Sequence, residues 1–252
     1  MNTHDIHVSS KKGRRDTYED THKIIRNDKI KFIMINDGHG GNIISNFLKQ
    51  KLPKFFIDNR LTYPLNPNYI IDVFKHIQEV IKTKFRKIAN ESGSTCLIII
   101  CYKDNNDKYL LTINLGDSRA IISKNNKAYP LTIDHKPNND IEKKRIEDLG
   151  GVLDFDGSDW RISNLAVSRS FGDIDVEPYI SCVPDIFRYK IEKDDKFVVV
   201  ACDGLWDVMT NQEVSNFVLK QNKTENIAEK LAIYAIKKGS TDNLTIIIMF
   251  IN

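Results

Sequence analysis

Lys31-Phe32-Ile33-Met34-Ile35 runs straight into Asn36-Asp37-Gly38-His39-Gly40-Gly41. The first five residues read as a strand, and the six after them decide its surroundings. Asp-Gly is the commonest signal for a two-residue hairpin, and a hairpin demands an alternating strand at once. Here His39-Gly40-Gly41 leads into a helical pattern over Asn42–Phe56. The arrangement recurs along the chain. Tyr109–Leu115 runs into Gly116-Asp117-Ser118-Arg119, and Phe197–Cys202 into Asp203-Gly204, followed by Leu-Trp-Asp-Val-Met. Leu244–Ile251 is preceded by Ser240-Thr241-Asp242-Asn243, and Glu19-Asp20 open another strand. Ordinary turn chemistry explains any one of these aspartates taken alone. Four hydrophobic runs with an aspartate at one tip form a pattern.

Working outward, Cys96–Tyr102 and Ala120–Ser123 complete the strands the apolar runs predict. Helical periodicity predicts helices over Asn42–Phe56, Tyr69–Ala89, Asp140–Leu149, Gln212–Lys220 and Glu225–Lys238. Asn139 or Asp140 is a candidate N-cap, and Gly150-Gly151 can stop that helix in a left-handed turn. The last helix places Glu225 in its first turn and Lys237-Lys238 before Gly239, charges that suit the helix dipole. Pro53, Pro64, Pro67, Pro137, Pro178 and Pro184 are expected to punctuate loops. No stretch rich in Gly, Ser or Pro divides the chain, so residues 1–252 are expected to form a single domain.

Charge narrows the function. The 252 residues carry 37 Lys+Arg against 34 Asp+Glu, a net +3. That surplus is too small to argue for nucleic-acid or membrane binding by electrostatics. The longest apolar stretches, Cys96–Tyr102 and Ile246–Ile251, fall far short of the roughly 20 residues that span a bilayer. Met1-Asn2-Thr3-His4-Asp5 has no apolar signal core, and position 2 is not the glycine myristoylation needs. Cys96, Cys101, Cys182 and Cys202 show no C-x-x-C pair, which favours reduced thiols inside an intracellular protein. A cytoplasmic or nuclear monomer is the expectation.

If strand tips meet at one end of a sheet, their carboxylates crowd together. Like charges so placed raise one another's pKa and cost stability unless cations compensate. Oxygen ligands without a His/Cys cluster favour Mg2+ or Mn2+ over Zn2+. A pair of such ions clamps phosphate and generates a hydroxide nucleophile near neutral pH.

At this point the motifs match a family. The chain resembles the metal-dependent protein serine/threonine phosphatases of type 2C in eight segments that follow the family's order. They are Gly13-Arg14-Arg15-Asp16-Thr17-Tyr18-Glu19-Asp20; Asp37-Gly38-His39-Gly40-Gly41; Gly93-Ser94-Thr95; and Asn114-Leu115-Gly116-Asp117-Ser118-Arg119-Ala120. Then come Asp134-His135-Lys136-Pro137; Leu165-Ala166-Val167-Ser168-Arg169-Ser170-Phe171-Gly172-Asp173; Ala201-Cys202-Asp203-Gly204-Leu205-Trp206-Asp207-Val208-Met209; and Asp242-Asn243-Leu244-Thr245. The resemblance implies an α+β fold, a four-layer sandwich of two mostly antiparallel β-sheets flanked by antiparallel helices. It implies that Asp37 bridges two Mg2+ or Mn2+ ions by means of which a metal-bridging hydroxide attacks phosphoserine or phosphothreonine. Glu19 and the Gly38 carbonyl would complete one ion, and Asp203 and Asp242 the other. Asp117 would join Asp203 around a weaker third ion, with Asp20 behind the ligands. Arg15 would grip the substrate phosphate bidentately, which lysine cannot do. His39 would protonate the departing Ser/Thr oxygen as general acid. Residues 174–184 resemble the family's flap beside the site.

Three places depart from the family pattern. Asn36 replaces an aromatic residue, Cys96 a small one, and Ser163-Asn164 stands where Asn-Gly is common; Asn tolerates the left-handed backbone such a turn needs. Two rival readings remain. Cys182-Val-Pro-Asp-Ile-Phe-Arg188 formally satisfies the C-x5-R pattern of cysteine phosphatases, but Pro184 lacks an N–H and Asp185 would repel an anion. A catalytically weak pseudophosphatase acting as a protein-binding scaffold is the other, although Glu19, Asp37, Asp203 and Asp242 are all present.

Overall fold

The computed structural model describes residues 5–251, so residues 1–4, which make up most of the N-terminal stretch tested for a signal core, lie outside the described residues. Ten strands form two five-stranded antiparallel sheets. In chain order they are β1 (Ile6–Lys11), β2 (Thr21–Arg26), β3 (Ile30–Asn36), β4 (Cys96–Asp104) and β5 (Asp107–Leu115). There follow β6 (Arg119–Lys124), β7 (Lys127–Pro130), β8 (Asp185–Lys190), β9 (Asp195–Ala201) and β10 (Leu244–Phe250). One sheet runs β1-β10-β9-β6-β7 and the other β8-β5-β4-β3-β2. Helices α1 (Ile43–Lys51), α2 (Pro67–Lys84), α3 (Asp140–Asp148), α4 (Asn211–Leu219) and α5 (Ile227–Lys237) lie between them in sequence. No helix among the described residues is long and apolar enough to cross a membrane.

Alternation explains the layers. On β3, Ile33 and Ile35 point into the core between the sheets, where they meet Leu97, Ile99, Val198, Val200 and Ile247. Phe32 and Met34 point the other way, onto Ile44, Leu48, Phe74, Ile77 and Ile81 of α1 and α2. Val199, Ile246 and Ile248 likewise pack under Val214 of α4 and Leu231 and Ala235 of α5. Both faces of the central strands are therefore dry, which is why Leu97–Ile100 is apolar at every position instead of alternating. The result is the four-layer α+β sandwich expected from the resemblance. Truncating a fully buried side chain such as Phe74 to alanine would cost about 3–5 kcal/mol.

Element ends shift where local chemistry overrides periodicity. The first helix stops at Lys51 and continues as a 3-10 turn, Leu52–Phe55, because Pro53 cannot donate the α-helical hydrogen bond. Pro67 does not punctuate a loop: it opens α2 just after Asn66, whose side chain accepts from Asn68 N. Asn139 caps α3 by accepting from Ile141 N. Glu225 lies before α5 rather than in its first turn, since Asn226 is the cap and Glu229 supplies the first-turn acid. Asn36 is fully buried, with its Nδ2 donating to Thr21 Oγ1 at 3.0 Å, so an amide bonded through its nitrogen occupies the place of the expected aromatic ring.

The register decides where the tips go. Ile35 pairs with Leu97, Cys96 with Leu115, and Ala201 with both Arg119 and Ile246. Within each sheet, the ends of β3, β5 and β9 therefore lie beside the beginnings of β4, β6 and β10. The short Gly116–Ser118 link carries β5 of one sheet into β6 of the other, which brings both sets of tips to the same end.

Candidate active site

A cleft of about 430 Å3 opens at that end. Arg15, Glu19, Asp37, Gly38, His39, Asp117, Asp203 and Asp242 all line it. Asp37 leaves β3, Asp117 leaves β5, Asp203 follows β9 and Asp242 precedes β10. Glu19 and Arg15 come from the loop between β1 and β2.

Several side chains outside the expected set hold these in place. Thr95 N donates to Asp37 O at 2.8 Å and Asp37 N donates to Thr95 Oγ1 at 3.1 Å, so Thr95 clamps the Asp37 backbone from both sides. Asn243 ties the β1–β2 loop to the Asp242 tip. Its Oδ1 accepts from Glu19 N at 2.7 Å, and its Nδ2 donates to Lys12 O and Thr17 O. Glu19 accepts from Thr17 Oγ1 at 2.7 Å and from Gly41 N at 2.9 Å. Gly38 is needed for room: an added Cβ would lie 2.6 Å from Glu19 O. Asn243 and Thr95 lie inside the matching segments without a role assigned to them in the sequence, and only the tertiary contacts show what they do.

The electrostatics are those of crowded acids. Seven acids line the cleft, Glu19, Asp37, Asp117, Asp159, Asp203, Asp207 and Asp242, against Arg15, Lys136 and Arg161. Burial and then repulsion from Asp20, Asp203, Asp117 and Asp242 push Asp37 well above the usual carboxylate range. Asp203 is pushed the same way by burial and by Asp117 and Asp207. Asp20 lies beneath, held by Thr245 Oγ1 at 2.7 Å, and burial is the main cause that raises it to about 6. Lys136 Nζ sits 2.5 Å from Asp117 Oδ2; burial opposes its charge, but the attraction of Asp117 holds it well above the ordinary lysine value. Arg15 lies 2.6 Å from Asp242 Oδ2.

These residues suit hard divalent cations. Most of the acid-bearing residues lining the cleft are aspartates, and Gly38 lines it beside Asp37. Asp20, Asp37 and the Cys202 thiol also approach within 4.8 Å of one another. That thiol is committed elsewhere, donating to Asn243 O at 3.3 Å and accepting from Thr245 N at 3.2 Å, and burial holds it strongly protonated. An oxygen-only set with unrelieved negative charge fits Mg2+ or Mn2+.

His39 is not a solvated loop residue. Its Nε2 lies 2.8 and 2.9 Å from the two oxygens of Asp173. Burial pushes its imidazolium down, but hydrogen bonding and attraction from Asp173, with Asp117 and Glu19 behind, leave its pKa raised. Asp173 closes the Leu165–Asp173 motif, yet its partner lies 134 residues away.

Residues 174–184 are not among those lining the cleft. They turn toward α2, where Gln78 Nε2 reaches Glu177 Oε1 at 3.2 Å and Lys82 reaches Glu177 Oε2 at 2.8 Å. The wall is instead built by Asp159, Arg161 and Asn164–Val167. That overhang turns at Ser163 and Asn164, both left-handed at φ 48 and 73°, with Ile162 bridged to Leu165. Glu142 anchors its far end through Arg169, 2.5 Å away, and Arg145, 2.9 Å away.

The cysteine-phosphatase pattern dissolves in three dimensions. Asp185–Lys190 is a strand, and Arg188 stacks on Tyr109 at 3.8 Å and pairs with Asp104 at 2.6 Å. Burial raises the Cys182 thiol, the opposite of an activated nucleophile. All four cysteines are free; Cys96 and Cys202 are buried, whereas Cys101 and Cys182 are only half-buried.

Comparison with known proteins identifies the class. The family model described as Protein phosphatase 2C matches residues 4–244. A PP2C-like domain-containing protein of Acanthamoeba polyphaga mimivirus is 46% identical over 164 residues, covering 55% of this chain and 92% of that protein. A rice protein named probable protein phosphatase 2C 7 is 36% identical over 253 residues, covering 96% of this chain. The chain spans 64% of that rice protein's length. Among solved structures, a Caenorhabditis elegans sex-determining protein superposes with a TM-score of 0.86 at 25% identity, over 97% of this chain and 64% of that one. This chain belongs to the protein phosphatase 2C family.

Proposed function

We propose that the chain is a Mg2+- or Mn2+-dependent phosphatase acting on phosphoserine and phosphothreonine in proteins. The observation that carries this reading is the meeting of Glu19, Asp37, Asp203 and Asp242 with Arg15 and His39 in one cleft. Glu19, Asp37 and the Gly38 carbonyl would hold one ion, and Asp37, Asp203 and Asp242 a second. Two such ions would neutralise the carboxylates, polarise a phosphoryl group and ionise a water near neutral pH.

The chain's own groups do the rest. Arg15 at the rim offers a planar fork to two phosphoryl oxygens. It now faces Asp242, so phosphate competes with that carboxylate for the guanidinium. His39 offers a proton to the departing serine or threonine oxygen, a leaving group too basic to depart unaided. Lys136 already neutralises Asp117, so a third ion shared by Asp117 and Asp203 would have to displace an ammonium. That ordering makes it the weakest of the three.

The test is hydrolysis of a phosphothreonine peptide by purified protein. Activity should need Mn2+ or Mg2+ and vanish in EDTA. Asp37→Ala should lose at least about 1,000-fold in kcat, as expected when a bridging ligand goes. Wild-type activity in that variant would sink the reading.

A further inference from the structure

We infer that Asp173 is the positioning residue of His39, fixing which ring nitrogen is left to deliver a proton in the cleft. The inference rests on the phosphatase reading proposed for the cleft and names a residue that reading does not use.

Three observations point the same way. Both Asp173 oxygens reach His39 Nε2, at 2.8 and 2.9 Å, which leaves Nδ1 as the ring nitrogen without a partner among the described residues. Asp173 is itself only 2% exposed, and it is pinned by the Ser170 hydroxyl, which donates to Oδ2, and by its own N–H, which donates to Ser92 O at 3.2 Å. Its backbone is left-handed, φ 48°, an unfavourable state for a residue with a side chain that persists only where the surroundings demand it. Gly93 makes room for the pair. A Cβ there would lie 2.2 Å from Asp173 Oδ2 and 2.6 Å from His39 Nε2. Gly93 does not have a positive φ, so its lack of a side chain answers to these two groups rather than to the backbone.

The proton count closes. In the imidazolium, Nε2–H is held by the Asp173 carboxylate and Nδ1–H faces the leaving oxygen. As the phosphorus–oxygen bond breaks, its electron pair stays on that oxygen, which takes the Nδ1 proton. Neutral imidazole remains, its one proton still on Nε2, and Asp173 stays ionised throughout. An asparagine at 173 could present its NH2 to Nε2, which would favour the other tautomer and spoil the delivery.

The experiment compares a phosphothreonine peptide with p-nitrophenyl phosphate, whose leaving group hardly needs a proton. Asp173→Asn should lower kcat about 100-fold on the peptide and less than about threefold on p-nitrophenyl phosphate. In a His39→Ala background the same change should cost less than about threefold on either substrate, because the acid it serves is gone. Gly93→Ala, which leaves Asp173 in the chain but crowds it off His39, should show the same split between substrates. Equal losses on both substrates, or a full additional peptide loss in the His39→Ala background, would overturn the inference. If the wild type hydrolyses neither substrate, the phosphatase reading fails instead. The pair is then judged on imidazole 15N signals of the chelator-treated protein: Asp173→Asn should shift the His39 ring resonances, and unchanged resonances would overturn it.

Discussion

At one end of β4 and β5 the chain turns through Asp104-Asn105-Asn106-Asp107, and at the other end β5 runs out into Gly116-Asp117. Both ends carry aspartates at strand tips. At the turn, Asn105 takes the left-handed conformation at φ 55°. Asp104 has its own partner in Arg188 at 2.6 Å, and Asp107 has Lys190 at 2.6 Å. Such solvated pairs contribute about 0–1 kcal/mol each and ask nothing of the rest of the fold. At the cleft, Asp117 is 2% exposed and shares its neighbourhood with Asp203 and Asp207. Acids there outnumber nearby cations, and burial strips them of solvent. The same residue type is turn chemistry at one end and stored electrostatic work at the other; depth and company make the difference.

Mutations can break that contrast directly. The largest expected effect is the loss of at least about 1,000-fold in Asp37→Ala. Its counterpart is Asp104→Ala, which should leave peptide hydrolysis within about twofold of wild type because an exposed pair contributes so little. Next in size is Arg15→Lys. Loss of the bidentate fork should raise KM about tenfold with a smaller change in kcat, read in steady-state kinetics.

Stability against pH sharpens the same point. In chelator, Asp20 is raised from 3.8 to about 6, chiefly by burial. A carboxyl raised on folding contributes stability that is full below its unfolded value and lost as pH climbs through the folded one. Chelated protein should therefore lose about 2 kcal/mol between pH 4 and 7 from this group, less whatever its neighbours share. Asp37 and Asp203 push in the same direction. Asp20→Asn should flatten that part of the curve in chemical denaturation, and saturating Mn2+ at pH 7 should raise stability. A chelated wild type that grows more stable from pH 5 to 7 would contradict the account. The smallest expected effect is Cys182→Ser, whose peptide hydrolysis should match wild type.

The central strands were legible because both their faces are dry: Cys96–Tyr102 and Leu244–Ile251 could hardly be anything but buried strands. The tips were legible because Asp37-Gly38 and Asp203-Gly204 lacked the strand a hairpin needs. Edge strands were harder. β8, Asp185–Lys190, is half exposed and interleaves charges with Ile186 and Phe187, so its apolar signal is faint. α4 has a complete capping box, Thr210 with Glu213, that helical periodicity alone passed over. The residues that line the cleft, Asp159, Arg161 and Asn164–Val167, were hard to read because the stretch mixes apolar and polar residues without helix or strand periodicity, and only packing tells that it reaches the cleft. Asp173 was invisible for a related reason: its charge meets His39 only after β-pairing brings Gly93 between Gly172 and His39.

Mn2+ titration calorimetry on chelator-stripped protein tests most directly whether strand-tip acids at one end, and not the other, form a joint cation site. Wild type and Asp104→Ala should each bind two ions at pH 7, and Asp37→Ala should lose the paired binding. Unaltered binding in Asp37→Ala, or an equal loss in Asp104→Ala, would contradict it.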